Sequence, residues 1–358
     1  FVPEHGKIGT DPGMDVGDEV WYYSDNSADY SNKTTFWIAK GMQNSNEPLV
    51  DYWNGTQWGK AMFVGIRDCN VFIENIEKVP DLSAYDKETW KAEAKVLKAF
   101  YHFWMMRMYG PIPIIKENIP VSAGEDEVRV VRDKIDDIVT YIVSLIDESV
   151  EYLPLNIQNE AAEMGRITRP AAKAIKAKIL AFAASPFFNG NLDYANFKNA
   201  EGEPFFNQVY DNEKWTKAAD ACLEAIQCAE EAGHGLYEFV NMSSTQLSDE
   251  TILSLSNRCK VTERWNKELV WGCGQSGIRD LQVLCQPWLE SNYSSDDRYH
   301  NARNGTFAPT LAVAETFYTK NGVPMDEDKN YDYSKRYTTQ VATEAYLFLS
   351  RFVGNHCP

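Results

Sequence analysis

Lys91–Ile115, KAEAKVLKAFYHFWMMRMYGPIPII, is the stretch whose reading decides the fold. Its apolar residues Val96, Leu97, Phe100, Phe103, Trp104 and Met108 recur every three or four positions, which places them on one side of an α-helix. Ala92, Ala94 and Ala99 are small enough for a second helix to approach closely. Gly110 can take the left-handed turn that ends a helix, and Pro111 and Pro113 keep it from resuming. A helix from about Lys87 to Tyr109 is roughly 30–35 Å long. With Phe, Tyr, Trp and Met this dense it must be a core helix around which the rest of the chain packs.

Working outward, Trp53–Ile76 predicts a helix with Met62, Phe63, Ile66, Cys69, Ile73 and Ile76 inward. A short loop through Pro80 makes it an antiparallel hairpin with the core helix. Arg129–Tyr152 predicts another, on Ile135, Ile138, Val139, Ile142, Leu145 and Ile146. In residues 165–186 Thr168 is the expected N-cap, Pro170 suits the first turn, and a run of alanines favours close helix contact. A fifth helix is expected over Glu213–Ala232, capped by Asn212, stopped by Gly233, with Trp215, Ala218, Ala219, Cys222, Ile226 and Ala229 inward. Residues 1–52 and 234–330 lack long helical periodicity; ELVWGCG at 268–274 is the best short-strand candidate. Ala99, Phe103 and Pro111 stand at offsets 0, +4 and +12, and Ala174, Ala181 and Pro186 at 0, +7 and +12. Both fit the second helix of a tetratricopeptide repeat, although no strict 34-residue period exists. The expected fold is mostly α, with tetratricopeptide-like helical hairpins, long irregular loops and little β. It reads as one domain: aromatic-bearing loops over 1–52, a helical scaffold over 53–233, a loop-rich region over 234–330 and an atypical tail over 331–358.

A net charge of −17 argues against nucleic acid and against adsorption onto anionic lipid, both of which require a basic surface. Seven cysteines without a C-x-x-C form neither a disulfide framework nor a zinc site, and are expected to be buried free thiols. Cys222 and Cys228, six apart on one helix, fall on different faces. The five histidines are isolated; His102, inside the core pattern, is expected to be a hydrogen-bonded core residue. GQSG at 274–277 lacks the last glycine of a nucleophile elbow. DEDKNYD at 326–332 opens like a calcium loop, but Tyr331 replaces the turn glycine. No catalytic residue, metal site or cofactor is therefore assigned. An acidic glycoside hydrolase is the least favoured reading, since its paired carboxylates cannot be picked out among so many acids.

Tryptophan is distributed unevenly. Trp21, Trp37, Trp53 and Trp58 lie near the start and Trp265, Trp271 and Trp288 near the other end, while 105–264 holds only Trp215. In both clusters they sit among Asn, Asp, Ser and Gly instead of in helical stripes. Aromatic faces stack on the apolar faces of sugar rings, and neighbouring polar groups bond the hydroxyls. The candidate ligand contacts are Trp21, Tyr23, Tyr30 and Trp37 from the first cluster and Trp265, Trp271 and Trp288 from the second, with Asp18, Asn26 and Arg279 as polar partners.

The core stretch, read with Trp90 and its context as WKAEAKVLKAFYHFWMMRMYGPIPII, resembles the signature helix of the SusD/RagB family, the surface nutrient-binding lipoproteins of Bacteroidetes. GDEVWYYSD (17–25), FVGIRDCNVFIENI (63–76), GRITRPAAKAIKAKILAFAASPFFN (165–189) and NGVPMD (321–326) are similar to further family segments, in the family's order. The resemblance implies a SusD-like helical fold whose loops carry the binding surface. It implies cell-surface capture of oligo- or polysaccharide without chemistry, and delivery to a SusC-like TonB-dependent transporter at the outer membrane. A lipid anchor, the family's opening helix and its last helical hairpin have no counterpart in this sequence, which reads as truncated at both ends. The family's motifs are structural, so they transfer no ligand residue. A protein–protein scaffold in the transporter complex, without sugar affinity of its own, is the alternative.

Overall fold

A computed structural model describes residues 13, 16–22, 34–57, 59–242, 244, 246–272, 307–319 and 321–336. The chain divides into two compact units, Ala61–Gly274 and the combination of Phe1–Lys60 with Gln275–Pro358.

The Ala61–Gly274 unit is built on six long helices: α1 (Met62–Asn75), α2 (Ala84–Tyr109), α3 (Ile135–Val150), α4 (Arg169–Ala184), α5 (Glu213–Glu231) and α6 (Asp249–Thr262). The first five stack in chain order, each packed on the next. Helix α2 starts where the Ser83 side chain accepts the Asp86 N–H at 3.0 Å. It ends at Gly110, whose φ of 68° satisfies the Met106 carbonyl and which a side chain could adopt only with strain. Val96, Phe100, Phe103, Trp104, Met105 and Met106 are buried. Polar contacts along α2 set its neighbours antiparallel. On the α1 side Lys91 pairs with Glu77 at 3.2 Å, while Gly65 leaves room for the Tyr101 ring. On the α3 side Thr89 donates to the Tyr152 carbonyl at 3.2 Å and Lys95 to Glu148 at 2.7 Å. Helix α4 continues the pattern, with Lys176 bonded to Asp147 at 2.7 Å.

After Gly110 the chain reverses and runs back along α2. Ile112 is fully buried, and Asp133 grips the return from both sides, its N–H to the Ile112 carbonyl at 3.0 Å and its carboxylate to the Ile114 N–H at 2.7 Å. Two polar residues of α2 fasten the rest of the return. The buried Lys98 ammonium donates to the Lys116 carbonyl at 2.5 Å. His102 Nδ1 faces the Lys98 carbonyl at 2.8 Å and so carries the proton, leaving Nε2 to accept the Ile115 N–H at 3.2 Å. His102 is thus the hydrogen-bonded core residue that its place in the pattern predicts.

Thr168 caps α4 by accepting the Ala171 N–H, and Pro170 stands in its first turn. Several expected bounds move inward. Residues 51–57 form a turn around buried Asp51, which accepts bonds from Trp53, Asn54 and Thr56, so α1 begins only at Met62. The α3 pattern starts at Ile135, because Arg132 and Asp133 serve the return segment. Asn212 stands at the expected N-cap position of α5, but its side chain makes no cap bond; Asp211 before it accepts the Glu213 N–H at 2.9 Å. Its inward face also differs from the expected one. Ala218, Ala221 and Cys228 are buried, whereas Trp215, Cys222 and Ile226 are exposed. The alanine-rich face of α4 admits only small residues at closest approach, which outweighs burial of Trp215. Cys222 and Cys228 do fall on different faces, and exposed Cys222 departs from the expectation of buried thiols.

Helix α6 was not anticipated, although Ser248 caps it at the Thr251 N–H. The described part of the 268–274 strand candidate is irregular loop. In the other unit β1 (Val20–Tyr22) pairs antiparallel with β2 (Phe307–Pro309), Trp21 opposite Ala308. The fold class is as expected: mostly helical, with little strand.

The buried imidazole makes a pH prediction. Burial holds His102 down to about 4 in the folded chain, from an ordinary 6.5. The unfolded chain takes up the proton first, so stability is full above 6.5 and falls as pH drops toward 4. Relative to His102→Gln, the wild-type unfolding free energy should fall by about 2 kcal/mol between pH 7 and pH 5 in urea melts. A difference between the two proteins that does not change with pH would contradict the neutral imidazole.

Candidate functional site

Between the start of α4 and the loop after α6 lies a cavity of about 420 Å³. Its floor is Gly165-Arg166, just ahead of the Thr168 cap. The Arg166 fork bonds both Glu93 oxygens of α2 at 3.0 Å, bonds Glu163 at 2.6 Å, and lies 5.4 Å from the Trp90 ring centre. The pair is largely buried, and its bidentate geometry makes it stronger than a surface ion pair. Gly165, at φ 99°, meets the loop after α6 backbone to backbone: a Cβ there would stand 3.0 Å from the Gly272 carbonyl oxygen.

Two tryptophans face this contact in different ways. Trp271 donates its indole N–H to the Gly165 carbonyl at 3.1 Å and meets the Phe100 ring edge-on at 5.6 Å. It is an anchor, tying the loop to α2. Trp265 lies across the two glycines and has a φ of 53°, a left-handed conformation that bulky residues seldom adopt. The loop enforces that geometry. Asn266 Nδ2 donates to the Lys260 and Glu263 carbonyls at 2.8 and 2.9 Å, and its Oδ1 accepts the Glu268 N–H at 3.0 Å. His234 Nδ1 donates to the Lys267 carbonyl at 3.0 Å, closing the other side.

Asn156, Glu160 and Lys267 also line the cavity, and their side chains take part in no hydrogen bond or ion pair among the described residues. An aromatic wall with unengaged donors and acceptors beside it suits a ligand that alternates apolar faces with hydroxyls. No group of three or more His, Cys, Asp or Glu among the described residues could hold a metal ion. In the calcium-like segment Asp328 turns inward, accepting from Thr319, Asn321 and the Asn330 N–H.

Of the residues predicted from sequence, the structure brings Trp265 and Trp271 together at this cavity. Trp21 and Trp37 belong to the other unit. Trp21 is 42% exposed with its ring edge-on to Phe36 at 5.5 Å, and Trp37 is half-buried on the short helix Thr34–Ala39. Asp18 is exposed, and its carbonyl accepts from Thr310 at 2.6 Å. Tyr23, Asn26, Tyr30, Arg279 and Trp288 lie outside the described residues. Asn156, Glu160, Arg166, His234 and Lys267 were not anticipated; only the glycine before Arg166 hinted at a special backbone position there.

Residues 10–180 match the SusD-like family described as "Starch-binding associating with outer membrane". A SusD-like protein of Bacteroides ovatus is 31% identical over 99 residues, which are 28% of this chain and 16% of that protein. The solved structure of BT4246 aligns with a TM-score of 0.68 at 28% identity, covering 93% of this chain and 56% of that one. The chain is similar to the SusD-like family over residues 10–180, just under half of its length, and shares the fold of BT4246.

Two further structures share the SusD-like fold at lower identity. A SusD-like protein (BF3747) from Bacteroides fragilis NCTC 9343 gives a TM-score of 0.57 at 16% identity, covering 94% of this chain and 56% of that one. Surface glycan-binding protein A from Bacteroides uniformis gives 0.56 at 15%, covering 94% and 64%. The chain spans little more than half the length of BT4246, at 56%.

The SusD-like block at 165–189 now has a physical content. Gly165 makes the backbone contact, Arg166 the ion pair, Thr168 the cap, and the alanines the close face toward α5. Asn189 closes the block by exchanging two 2.8 Å bonds with the Asp211 backbone.

Arg166 is the test of this arrangement. Arg166→Ala leaves Glu93 without its cation in a largely buried setting and should cost about 3 kcal/mol in urea melts. Arg166→Lys keeps the charge without the fork and should fall between the two. A loss below about 0.5 kcal/mol, the range of an exposed pair, would show that the fork does not hold the floor in place.

Proposed function

We propose that this chain binds oligo- or polysaccharide without chemistry and that Trp265 is the stacking face of the site. The observation that carries this is the left-handed Trp265 beside the cavity, with Asn156, Glu160 and Lys267 unengaged around it. Strain at a bulky residue persists only where the surroundings enforce it, and such positions cluster at ligand sites. Trp271 has a structural role in this reading, because its N–H is bonded and its ring already packs at right angles to Phe100. In the other unit, exposed Trp21 on β1 is the candidate contact, with Phe36 of the helix Thr34–Ala39 edge-on to its ring.

The family's description as starch-binding and associated with the outer membrane supports a glycan ligand and a cell-surface location. In this reading the protein is lipid-anchored and passes its ligand to a SusC-like TonB-dependent transporter. No helix among the described residues is long and apolar enough to cross a membrane. A second reading, a scaffold subunit of the transporter complex without sugar affinity, is favoured by the outward face of α5, where Trp215, Leu223 and Ile226 are exposed.

Calorimetry against plant and host polysaccharides separates the two. Trp265→Ala should weaken binding about tenfold or more, near 1.4 kcal/mol, while Trp271→Phe should keep affinity and lose only stability. Absence of binding by the intact protein, together with co-purification of a transporter from membranes, would favour the scaffold.

A further inference from the structure

The excursion between α4 and α5 carries aromatic surface that the cavity does not use. It has its own core: Phe188, Phe205 and Phe206 are buried, and bridges at Asn189–Asn207 and Lys198–Pro204 hold its turns. Three rings are layered outward from that core. Phe188 stacks on Phe206 at 6.0 Å and 12°, and Phe206 stacks on Tyr194 at 4.8 Å and 21°. Tyr194 therefore has one face covered, yet the residue is 40% exposed. Phe187 crosses it at 65° with ring centres 5.6 Å apart and also meets Phe188 and Phe206 at 4.8 and 5.8 Å, forming a wall along the side of the stack. Next in sequence, Asp193 is exposed. Neither its carboxylate nor the Tyr194 hydroxyl has a hydrogen-bond partner among the described residues.

We propose that this corner is a second carbohydrate-binding platform, on which a pyranose ring of an oligo- or polysaccharide lies against the outer face of Tyr194. The Phe187 wall limits its lateral position, while Asp193 and the Tyr194 hydroxyl bond its hydroxyls. The stack fixes the ring before a ligand arrives, so binding does not have to freeze it. An apolar protein surface would strand the Asp193 carboxylate and the Tyr194 hydroxyl away from water, which a polyhydroxyl ligand does not. Acidic Asp193, Glu201 and Asp211 nearby and the net charge of −17 disfavour an anionic lipid surface.

The choice of ligand rests on the glycan reading above, but the site is separate. Thr168 beside the cavity and Ser185 at the excursion bracket α4, whose 16 residues span about 24 Å. A single sugar ring reaches one site only, whereas a polymer chain can engage both and gain avidity.

The test uses the full chain in affinity gels containing amylopectin, xyloglucan, laminarin or galactomannan, and saturation-transfer NMR with the trisaccharide of whichever polymer is retained. Tyr194→Ala should weaken polymer binding about fivefold or more, and Tyr194→Phe, which keeps the stack, should lose less. Asp193→Ala, at an exposed side chain without a partner, should weaken it several-fold and stands in if Tyr194→Ala fails to fold. In a Trp265→Ala background the trisaccharide signal should survive and then vanish on adding Tyr194→Ala. Wild-type binding by both Tyr194→Ala and Asp193→Ala, or complete loss of trisaccharide binding in Trp265→Ala, overturns the platform and leaves the cavity standing. Binding that ignores Trp265→Ala but falls with Tyr194→Ala overturns the cavity and supports the platform. No retention of the wild type on any of the four polymers overturns both.

Discussion

Helix α2 has to be buried on more than one side, and that constraint organises the unit around it. Helices α1 and α3 cover two flanks, and the segment after Gly110 covers part of what remains. A helix so enclosed can carry polar residues only where each finds a partner, because an unpaired buried donor costs about 1–3 kcal/mol. Lys98 and His102 meet that condition through the backbone of residues 115 and 116. The return segment is therefore the hydrogen-bonding complement of α2, which explains why a helix stop rich in proline is followed at once by buried isoleucine. Pro111 and Pro113 have no N–H to satisfy in that position, so the return leaves fewer donors to account for.

What could be read before the structure followed the same logic. The centres of α2, α3 and α4 were legible because helical periodicity reports burial on a definite face, and Ser, Thr and Gly mark the ends. The starts of α1 and α3 were not, because the apolar and aromatic residues before them belong to a turn closed by Asp51 on its own neighbours and to a segment that Asp133 ties to Ile114, 19 residues away. In α5 both faces contain apolar residues. Periodicity alone favoured the one with Trp215, and contact with the alanines of α4 selected the other. Helix α6 escaped notice because it has no fully buried residue and hence only a weak stripe.

The second tryptophan cluster was legible as a region and illegible as residues. Trp265 and Trp271 are alike in sequence context, both in a polar loop, both candidates for stacking. Their difference is a backbone angle and a hydrogen bond. Trp271 spends its N–H on Gly165 and packs its ring at right angles to Phe100, while Trp265 is held in a left-handed conformation by the bonds of Asn266. Neither property is local to the tryptophan itself, so composition could place the cluster but could not divide anchor from platform.

That division also bears on how scaffold and site are related in this SusD-like chain. The residues of the SusD-like block at its start, Gly165, Arg166 and Thr168, are explained by stability alone: a backbone contact, an ion pair and a helix cap. Yet the same contact between Gly165 and Gly272 sets the surface across which Trp265 lies. A rigid floor built for folding thus fixes the ring, and the side chains proposed to read a ligand, those of Asn156, Glu160 and Lys267, make no hydrogen bond or ion pair among the described residues, although the Lys267 carbonyl serves His234 and Gly235. Those three positions can change without disturbing Arg166 or the Trp271 anchor, because they share no hydrogen bond with either. Specificity can then diverge at constant stability, which is the physical reason a common fold can serve different ligands.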